Sequence, residues 1–384
     1  MIVTFWIFIS LILYCYFGYP LLLIFLSKWI SKPVKKENIE PAVSIVISVW
    51  NEQDVIGKKI TNLLSLDYPT DKIQIIIGSD GSNDQTSSII RTFNDHRIIF
   101  VESRDRRGKM VVINELIGLA KHDIIVFNDA RQELPKEAIR QLVAGFADPQ
   151  VGCVSGELVF KNIDGTTAQG INLYWEYEKM MRNHEARIHS MLGATGAMYA
   201  IRKKLFQAIP NHVVLDDMYV PFRIIEKGYR AIFEPMAKAF DKPAVDPQEE
   251  YRRKTRTLFG NFQIFQIFGQ LFNPFKSPIA IQLFSHKFLR ILAPFLMIGL
   301  LIINPFILEN SFYLSVLFMQ IFFYLMAFIG LYTKNSQNSF ILKVSKLCYI
   351  PYIFCLLNFS VLVGFWRYLT SKQAITWEKA RTVK

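Results

Sequence analysis

Between residues 2 and 26 the chain has no charged side chain. At about 1.5 Å per helical residue that is long enough to cross a hydrocarbon core about 30 Å thick. Three more apolar runs, at 291–308, 312–332 and 347–366, are also long enough to cross. A cleaved secretory signal fits the first run poorly, because it lacks a basic start, is long for a signal core and has no clear small-residue cleavage site. Lys28, Lys32, Lys35 and Lys36 follow it at once. Basic juxtamembrane residues stay in the cytoplasm, so the amino terminus is expected outside and residues from 37 onward inside. Three later crossings would leave the tail outside, yet it carries Arg367, Lys372, Lys379, Arg381 and Lys384 against Glu378. Either one of the three runs is re-entrant or interfacial, or the tail departs from the charge rule.

Hydrophobic residues make up 51% of the chain and include 32 Phe, concentrated toward its ends, which marks an integral membrane protein rather than a large soluble core. The net charge of +12 resides largely beside apolar runs and around 252–256. That distribution points to anionic lipid headgroups and a diphosphate as partners, and not to nucleic acid. Cys15, Cys153, Cys348 and Cys355 have no paired CxxC spacing, which argues against a disulfide framework or a zinc site.

From Pro41 to about Gly260 short apolar runs alternate with polar helical stretches. VSIVISV, IQIIIGS, RIIFVES and IIVFN read as buried strands, with helices near 53–66, 84–94 and 109–120. This is βαβ logic and predicts an α/β domain with a mostly parallel sheet. From 261 to 290, aromatic and aliphatic residues are interrupted by Gln, Asn, Lys and two prolines. That pattern suits helices in the headgroup plane, with a further piece of soluble core as the alternative.

Three acidic sites follow apolar, strand-like runs: Asp80 in IQIIIGSD, Asp129 in DIIVFND, and Asp216–Asp217 in VVLDD. Ligands of open α/β sheets bind beyond the carboxyl ends of the strands, so these carboxylates are expected to converge on one crevice. Asp80 can accept from a nucleobase N–H or ribose hydroxyls. Asp129 can hold Mg2+ or Mn2+, a cation that takes one or two carboxylates and completes its shell with phosphates and water; capping a helix is the competing role. Asp216 or Asp217 can deprotonate an acceptor hydroxyl, with capping a competitor for one of the two. Asn51 and Glu52, ending the first strand, face a nucleoside or cap the next helix. Arg106, Arg107, Gly108 and Lys109 lead into a helix amino terminus and offer a diphosphate site. Arg253 and Arg256, at i, i+3 spacing, can clamp a diphosphate or lie on a solvated face. The absence of GxGxxG and GxxxxGK[ST] argues against dinucleotide cofactors and ATP.

With these motifs in this order the chain resembles the family 2 glycosyltransferases, inverting membrane enzymes with a GT-A fold that include cellulose, hyaluronan and poly-N-acetylglucosamine synthases. The resemblance runs from about Pro41 to Gly260 and continues weakly through SHKFLR. The bacterial exopolysaccharide branch is the most similar, through DYP, FNDARQ, VSGEL, GATGAMYAIR and SHK. The resemblance implies a nucleotide-binding role for Asp80, a phosphate contact for Lys109, the first DxD position for Asp129 and the general base for Asp217, preceded by Asp216. Arg253 and Arg256 occupy the first and fourth positions of QxxRW. Two departures stand out. The third DxD position is Arg131, so metal coordination rests on Asp129 alone or metal dependence is weakened. Thr257 replaces the QxxRW Trp, which weighs against processive extension.

The resulting expectation is a first transmembrane helix at 1–27 and a cytoplasmic, Rossmann-like GT-A domain at 40–260. Interfacial helices at 261–290, about three crossings within 291–368 and a basic tail at 369–384 complete the layout. The expected activity is transfer from a nucleotide sugar, most naturally a UDP-sugar, to a polysaccharide or lipid-linked acceptor. A synthase or export protein would be the partner. A non-catalytic scaffold in a polysaccharide export assembly is the alternative, supported by Arg131 and Thr257 only.

Overall fold

Uninterrupted Val and Ile runs can be buried on both faces only if helices cover both sides of the sheet they form. The computed structural model describes residues 1–161, 166–242, 247–333 and 339–370, with side chains described except at 166–174, 247–250 and 339–346. Its seven strands are β1 (Val43–Val49), β2 (Ile73–Asp80), β3 (Ile98–Ser103), β4 (Ile124–Asn128), β5 (Val151–Phe160), β6 (Met198–Arg202) and β7 (Arg230–Asp241). Their order is β3-β2-β1-β4-β6-β5-β7. β1 runs parallel to β2 and β4, β2 to β3 and β5 to β7, while β6 is antiparallel to both β4 and β5. The sheet is thus mixed and mostly parallel, as the alternating pattern predicts. Alternate residues of β1 supply two cores. Ile45 and Ile47 pack with Ile60 and Leu63 of the helix Ile56–Leu64, and Val46 lies with Ile113 and Leu116 of the helix Lys109–Leu119.

One strand expected from the sequence is absent. Val213, Val214 and Leu215 are buried but irregular, and the helix Asp216–Glu226 starts directly after them. The sheet positions beside β5 are already taken by β6 and β7, so this apolar stretch packs as a loop beneath the helix Pro247–Ile267. A Cβ on Gly260 would come within 2.5 Å of the Leu215 side chain, so the small residue is what lets the two segments meet.

Four helices among the described residues are long and apolar enough to cross a membrane: Ile2–Trp29, Ala280–Phe306, Ser311–Thr333 and Leu347–Leu369. The chain is a membrane protein with one such helix before the sheet and three after it. The second begins at Ala280, earlier than the apolar run at 291 suggests. His286, Lys287 and Arg290 make the preceding sequence look too polar to span, but in the fold they meet buried carboxylates on another helix. The 261–290 stretch divides accordingly. Its first part completes the helix Pro247–Ile267, with Ile264, Phe268, Leu271, Ile279 and Leu283 in the sheet-side core, while Phe275 is 97% exposed. Of the basic tail, residues beyond 370 lie outside the described residues.

The sheet domain is tied to the spans at two places. The buried Arg230 guanidinium donates to the carbonyls of Lys32, Ala186 and His189, fixing the end of the first span. The helix Pro247–Ile267 lies along the last span, with Phe262 stacked on Tyr368 at 5.5 Å and Tyr251 on Phe359 at 6.3 Å. The first and second spans each contain a π-turn, Tyr14–Gly18 and Leu283–Phe288, and the two meet where Tyr14 bonds Ser285 at 2.9 Å.

Candidate active site

The carboxyl ends of β1, β2 and β4 lie on one edge of the sheet, and the residues singled out there separate into two groups. The first group is bound up in loop-to-loop contacts. Asn51 has φ 52°, the left-handed region that Asn tolerates best after Gly. Its side chain accepts from the Asn83 amide at 2.9 Å and donates to Asn83 Oδ1 at 2.7 Å, so it clasps the loop after β2 rather than capping the next helix. Glu52 is buried and accepts from Arg131 Nη2 at 2.9 Å. Asp80 is also buried; its Oδ1 accepts from the Arg107 amide at 2.7 Å and its Oδ2 from the Gly108 amide at 2.9 Å. The amides expected to greet a diphosphate are therefore held by Asp80. Gly81 lets this happen: with φ 65° it passes so close to the 105–106 backbone that a Cβ would lie 2.7 Å from the Arg106 nitrogen.

Trp50 and Arg106 form a platform beside this group, with the guanidinium 3.6 Å from the indole centroid. Arg106 Nε and Nη2 are buried with no hydrogen-bond partner among the described residues. An aromatic face and unspent donors at a strand end suit a nucleobase. In the sequence, Trp50 carries no signal beyond its position just before Asn51.

The second group lines a cavity of about 1270 Å³ on the membrane side of the edge. Asp129, Asp216, Asp217, Lys109, Arg253 and Arg256 all border it. The Lys109 ammonium bridges Asp129 Oδ1 at 3.3 Å and Asp216 Oδ1 at 3.2 Å. Burial works against its charge, but these two carboxylates outweigh burial and hold its pKa above the usual lysine value. Asp216 Oδ2 accepts in addition from the Tyr199 hydroxyl at 3.2 Å, and Tyr199 is itself fixed by stacking on Phe127 at 4.3 Å.

Asp217 differs from its neighbour. Among the described residues no side-chain hydrogen bond or ion pair engages its carboxylate. Burial, reinforced by the charge of Asp216, raises its pKa from 3.8 to about 6. The capping ambiguity of the Asp pair is resolved by these contacts: Asp216 is consumed in holding Tyr199 and Lys109, and Asp217 faces the cavity. The half-buried Arg256 has its pKa lowered by desolvation of its guanidinium, while Asp216, Asp217 and Asp129 partly offset that.

Gly196 lies between the two outer carboxylates. A Cβ there would be 3.5 Å from Asp217 Oδ2 and 3.8 Å from Asp129 Oδ2, so the GATGAMYAIR segment keeps a small space open between them. That space and the hard oxygen of Asp129 fit a divalent cation completed by phosphate oxygens. No group of three or more His, Cys, Asp or Glu among the described residues could hold a metal unaided. Arg131 does not face this space as an unbalanced charge, because Glu52 neutralises it. Thr257 is exposed and its hydroxyl returns to the Arg253 carbonyl at 3.0 Å.

A sheet with carboxylates at its strand ends, mounted on spans, is the architecture of a membrane glycosyltransferase of the GT-A class. Residues 44–209 match the family model Glycosyl transferase family 2. Over that stretch the chain is similar to the family 2 glycosyltransferases. It is 25% identical over 376 residues to the Bacillus subtilis protein "Probable glycosyltransferase YdaM", covering 90% of this chain and 89% of that one. It is 26% identical over 204 residues to a poly-beta-1,6-N-acetyl-D-glucosamine synthase of Staphylococcus aureus, spanning 51% of this chain and about half, 48%, of the synthase. Among solved structures, a mannosyltransferase from Pyrobaculum calidifontis in complex with GDP-Man and Mn2+ shares the fold. Its TM-score is 0.70 at 22% identity, over 96% of this chain and 100% of that one.

Proposed function

We propose that this protein transfers a sugar, with inversion, from a nucleotide sugar to an acceptor hydroxyl presented at the cytoplasmic face of the membrane. The single observation that carries the reading is Asp217, which lines the cavity without a side-chain partner among the described residues and has its pKa raised to about 6, where it can both accept and release a proton near neutrality. In the step, Asp217 takes the proton of the acceptor hydroxyl as its oxygen bonds to the anomeric carbon. The bond from that carbon to the diphosphate breaks, and its electrons leave with the nucleoside diphosphate.

Arg256 and Lys109 would hold the departing diphosphate, a reading supported by their place in the cavity lining, where Arg253 borders the same space. Trp50 and Arg106 would receive the nucleobase, with Asn51, Glu52 and Asp80 shaping the loops around it. Asp129 would hold Mg2+ or Mn2+ together with the donor phosphates, and such an ion supplies charge neutralisation on the leaving group. The synthase relative supports an N-acetylhexosamine and a polysaccharide product. The mannosyltransferase of the same fold keeps a hexose donor in view. Lys28, Lys32, Lys35 and Lys36 support the cytoplasmic side for the sheet.

The test is a screen of UDP- and GDP-sugars against membranes containing the protein, with transfer read by labelled donor. Transfer that survives Asp217→Asn at the wild-type rate would overturn the assignment of the base. Failure of every donor to be transferred or hydrolysed would favour the non-catalytic scaffold.

A further inference from the structure

The segment 129–133 is held from several sides. Lys109 meets Asp129, Glu52 neutralises Arg131, and the ammonium of the buried Lys59, from the helix Ile56–Leu64, donates to the Gln132 carbonyl at 2.6 Å. Glu133 exchanges two backbone hydrogen bonds with Phe240, at 2.9 and 2.8 Å. The next residue, Asp241, ends β7, and the Gln132 side chain reaches it: Nε2 donates to Asp241 Oδ2 at 2.9 Å. Gln132 and Asp241 both line the large cavity, and the transfer step uses neither.

This pair has hydrogen-bonding capacity left over. Gln132 is 8% exposed, and its Oε1 is buried with no hydrogen-bond partner among the described residues. An amide oxygen buried in that way is costly until a donor meets it. Asp241 Oδ1 accepts from the Lys242 amide at 2.7 Å, and no ion pair engages the carboxylate among the described residues. Each of its oxygens keeps a further lone pair. Beside the pair the lining is apolar. Phe160 of β5 pairs with Asp241, Leu158 comes two residues before Phe160, and Trp175 meets the Phe160 ring edge to face at 5.9 Å. Leu158 and Trp175 border the cavity. A wall of C–H groups next to a carboxylate and an amide suits a sugar ring, which has apolar faces and a rim of hydroxyls.

Position selects which sugar this is. Gln132 comes three residues after Asp129, so their Cα atoms are no more than about 11 Å apart. In the sheet order, Trp50 and Arg106 follow β1 and β3, Asp129 follows β4, and Asp241 ends β7 at the opposite edge. A nucleotide sugar laid along that line has its base on the platform, its diphosphate at Asp129 and its sugar toward Gln132 and Asp241.

We infer that Gln132 and Asp241 form the subsite that reads the hydroxyls of the donor sugar, with Leu158 and Trp175 as its apolar wall, and that this pair sets which nucleotide sugar is used. The inference rests on the proposed transferase reading and adds to it the residues that choose the donor.

The experiment uses the full chain in phosphatidylcholine nanodiscs with Mn2+. Calorimetry gives dissociation constants for UDP-N-acetylglucosamine, UDP-glucose, UDP-galactose and GDP-mannose, with UDP and GDP as sugar-free arms. For the best-bound donor, Asp241→Asn and Gln132→Ala should each weaken binding about tenfold, while the matching nucleoside diphosphate stays within about twofold and melting temperatures hold. The spread of affinities among the UDP-sugars, which differ only in the sugar, should narrow in the same variants. A mere brace would weaken donor and nucleoside diphosphate alike, and that result overturns the inference, as does unaltered donor affinity in both variants. Equal weakening together with a raised Mn2+ requirement would make Asp241 a metal ligand and overturns it too. Transfer of labelled sugar on the same nanodiscs separates this inference from the transferase reading. Turnover in variants that bind every donor as the wild type does sinks the subsite and leaves the transferase. Selective loss of donor binding in the variants, with no turnover by the wild type, does the reverse. Binding of none of these donors sinks both.

Discussion

The outer rim of the crevice and the cavity behind it use the same residue types to opposite effect. In the rim, Asn51, Glu52 and Asp80 are satisfied by Asn83, Arg131 and two backbone amides. In the cavity, Lys109 is shared between two carboxylates, while Asp217 has no side-chain partner among the described residues and an elevated pKa. A carboxylate that accepts short bonds from fixed amides is suited to bracing, and one left desolvated beside a second acid is suited to proton transfer, the role proposed for Asp217. The difference lies in their partners, not in their position relative to the sheet.

If that contrast is correct, substitutions in the cavity will cost rate and substitutions in the rim will cost stability. Asp217→Asn should lower transfer by about 10²–10⁴-fold while donor affinity, read by titration of the nucleotide sugar, stays within a factor of a few. The same group sets the pH response. Transfer should fall as pH drops through about 6, because the base becomes protonated. The folded-state pKa lies above the unfolded value of 3.8, so the native state binds more protons in this window and stability contributed by the group falls as pH rises from 3.8 to about 6. Thermal unfolding across that range should show the slope, and Asp217→Asn should flatten it.

In the rim, Arg131→Ala would remove the cation paired with the buried Glu52 carboxylate and cost about 3 kcal/mol of unfolding free energy. A melting temperature equal to wild type would place that pair outside the bracing set. Asp80→Ala leaves the Arg107 and Gly108 amides without their acceptor and should cost about 2 kcal/mol, with a raised KM for the donor. Recovery of most of that loss by Asp80→Asn would be expected, since an amide oxygen can still accept. Asn51→Ala loses the Asn83 clasp and places Ala at φ 52°, a change of about 1 kcal/mol, visible as a small shift in the denaturation midpoint.

The first four strands were legible because each is a continuous Val/Ile run ending at a polar turn, and the four spans because lipid demands long apolar helices. VVLDD misled because an apolar run specifies burial, and only the occupancy of the neighbouring sheet positions distinguishes a strand from a packed loop. The start of the second span was hidden for a related reason. His286, Lys287 and Arg290 read as polar along the chain, and their partners on the helix Thr166–Ile188 are more than a hundred residues away in sequence.

Local order in the chain was enough to reveal the family resemblance, the apolar spans and the mostly parallel sheet, because turn chemistry, apolar periodicity and motif spacing are short-range properties. Which acid is free was not written there. Asp216 and Asp217 are adjacent and alike in sequence, and they become different only when Tyr199 and Lys109, brought in from β6 and from the helix Lys109–Leu119, satisfy one and leave the other facing the cavity. A charge acquires its function from what surrounds it, and those surroundings are assembled by long-range packing.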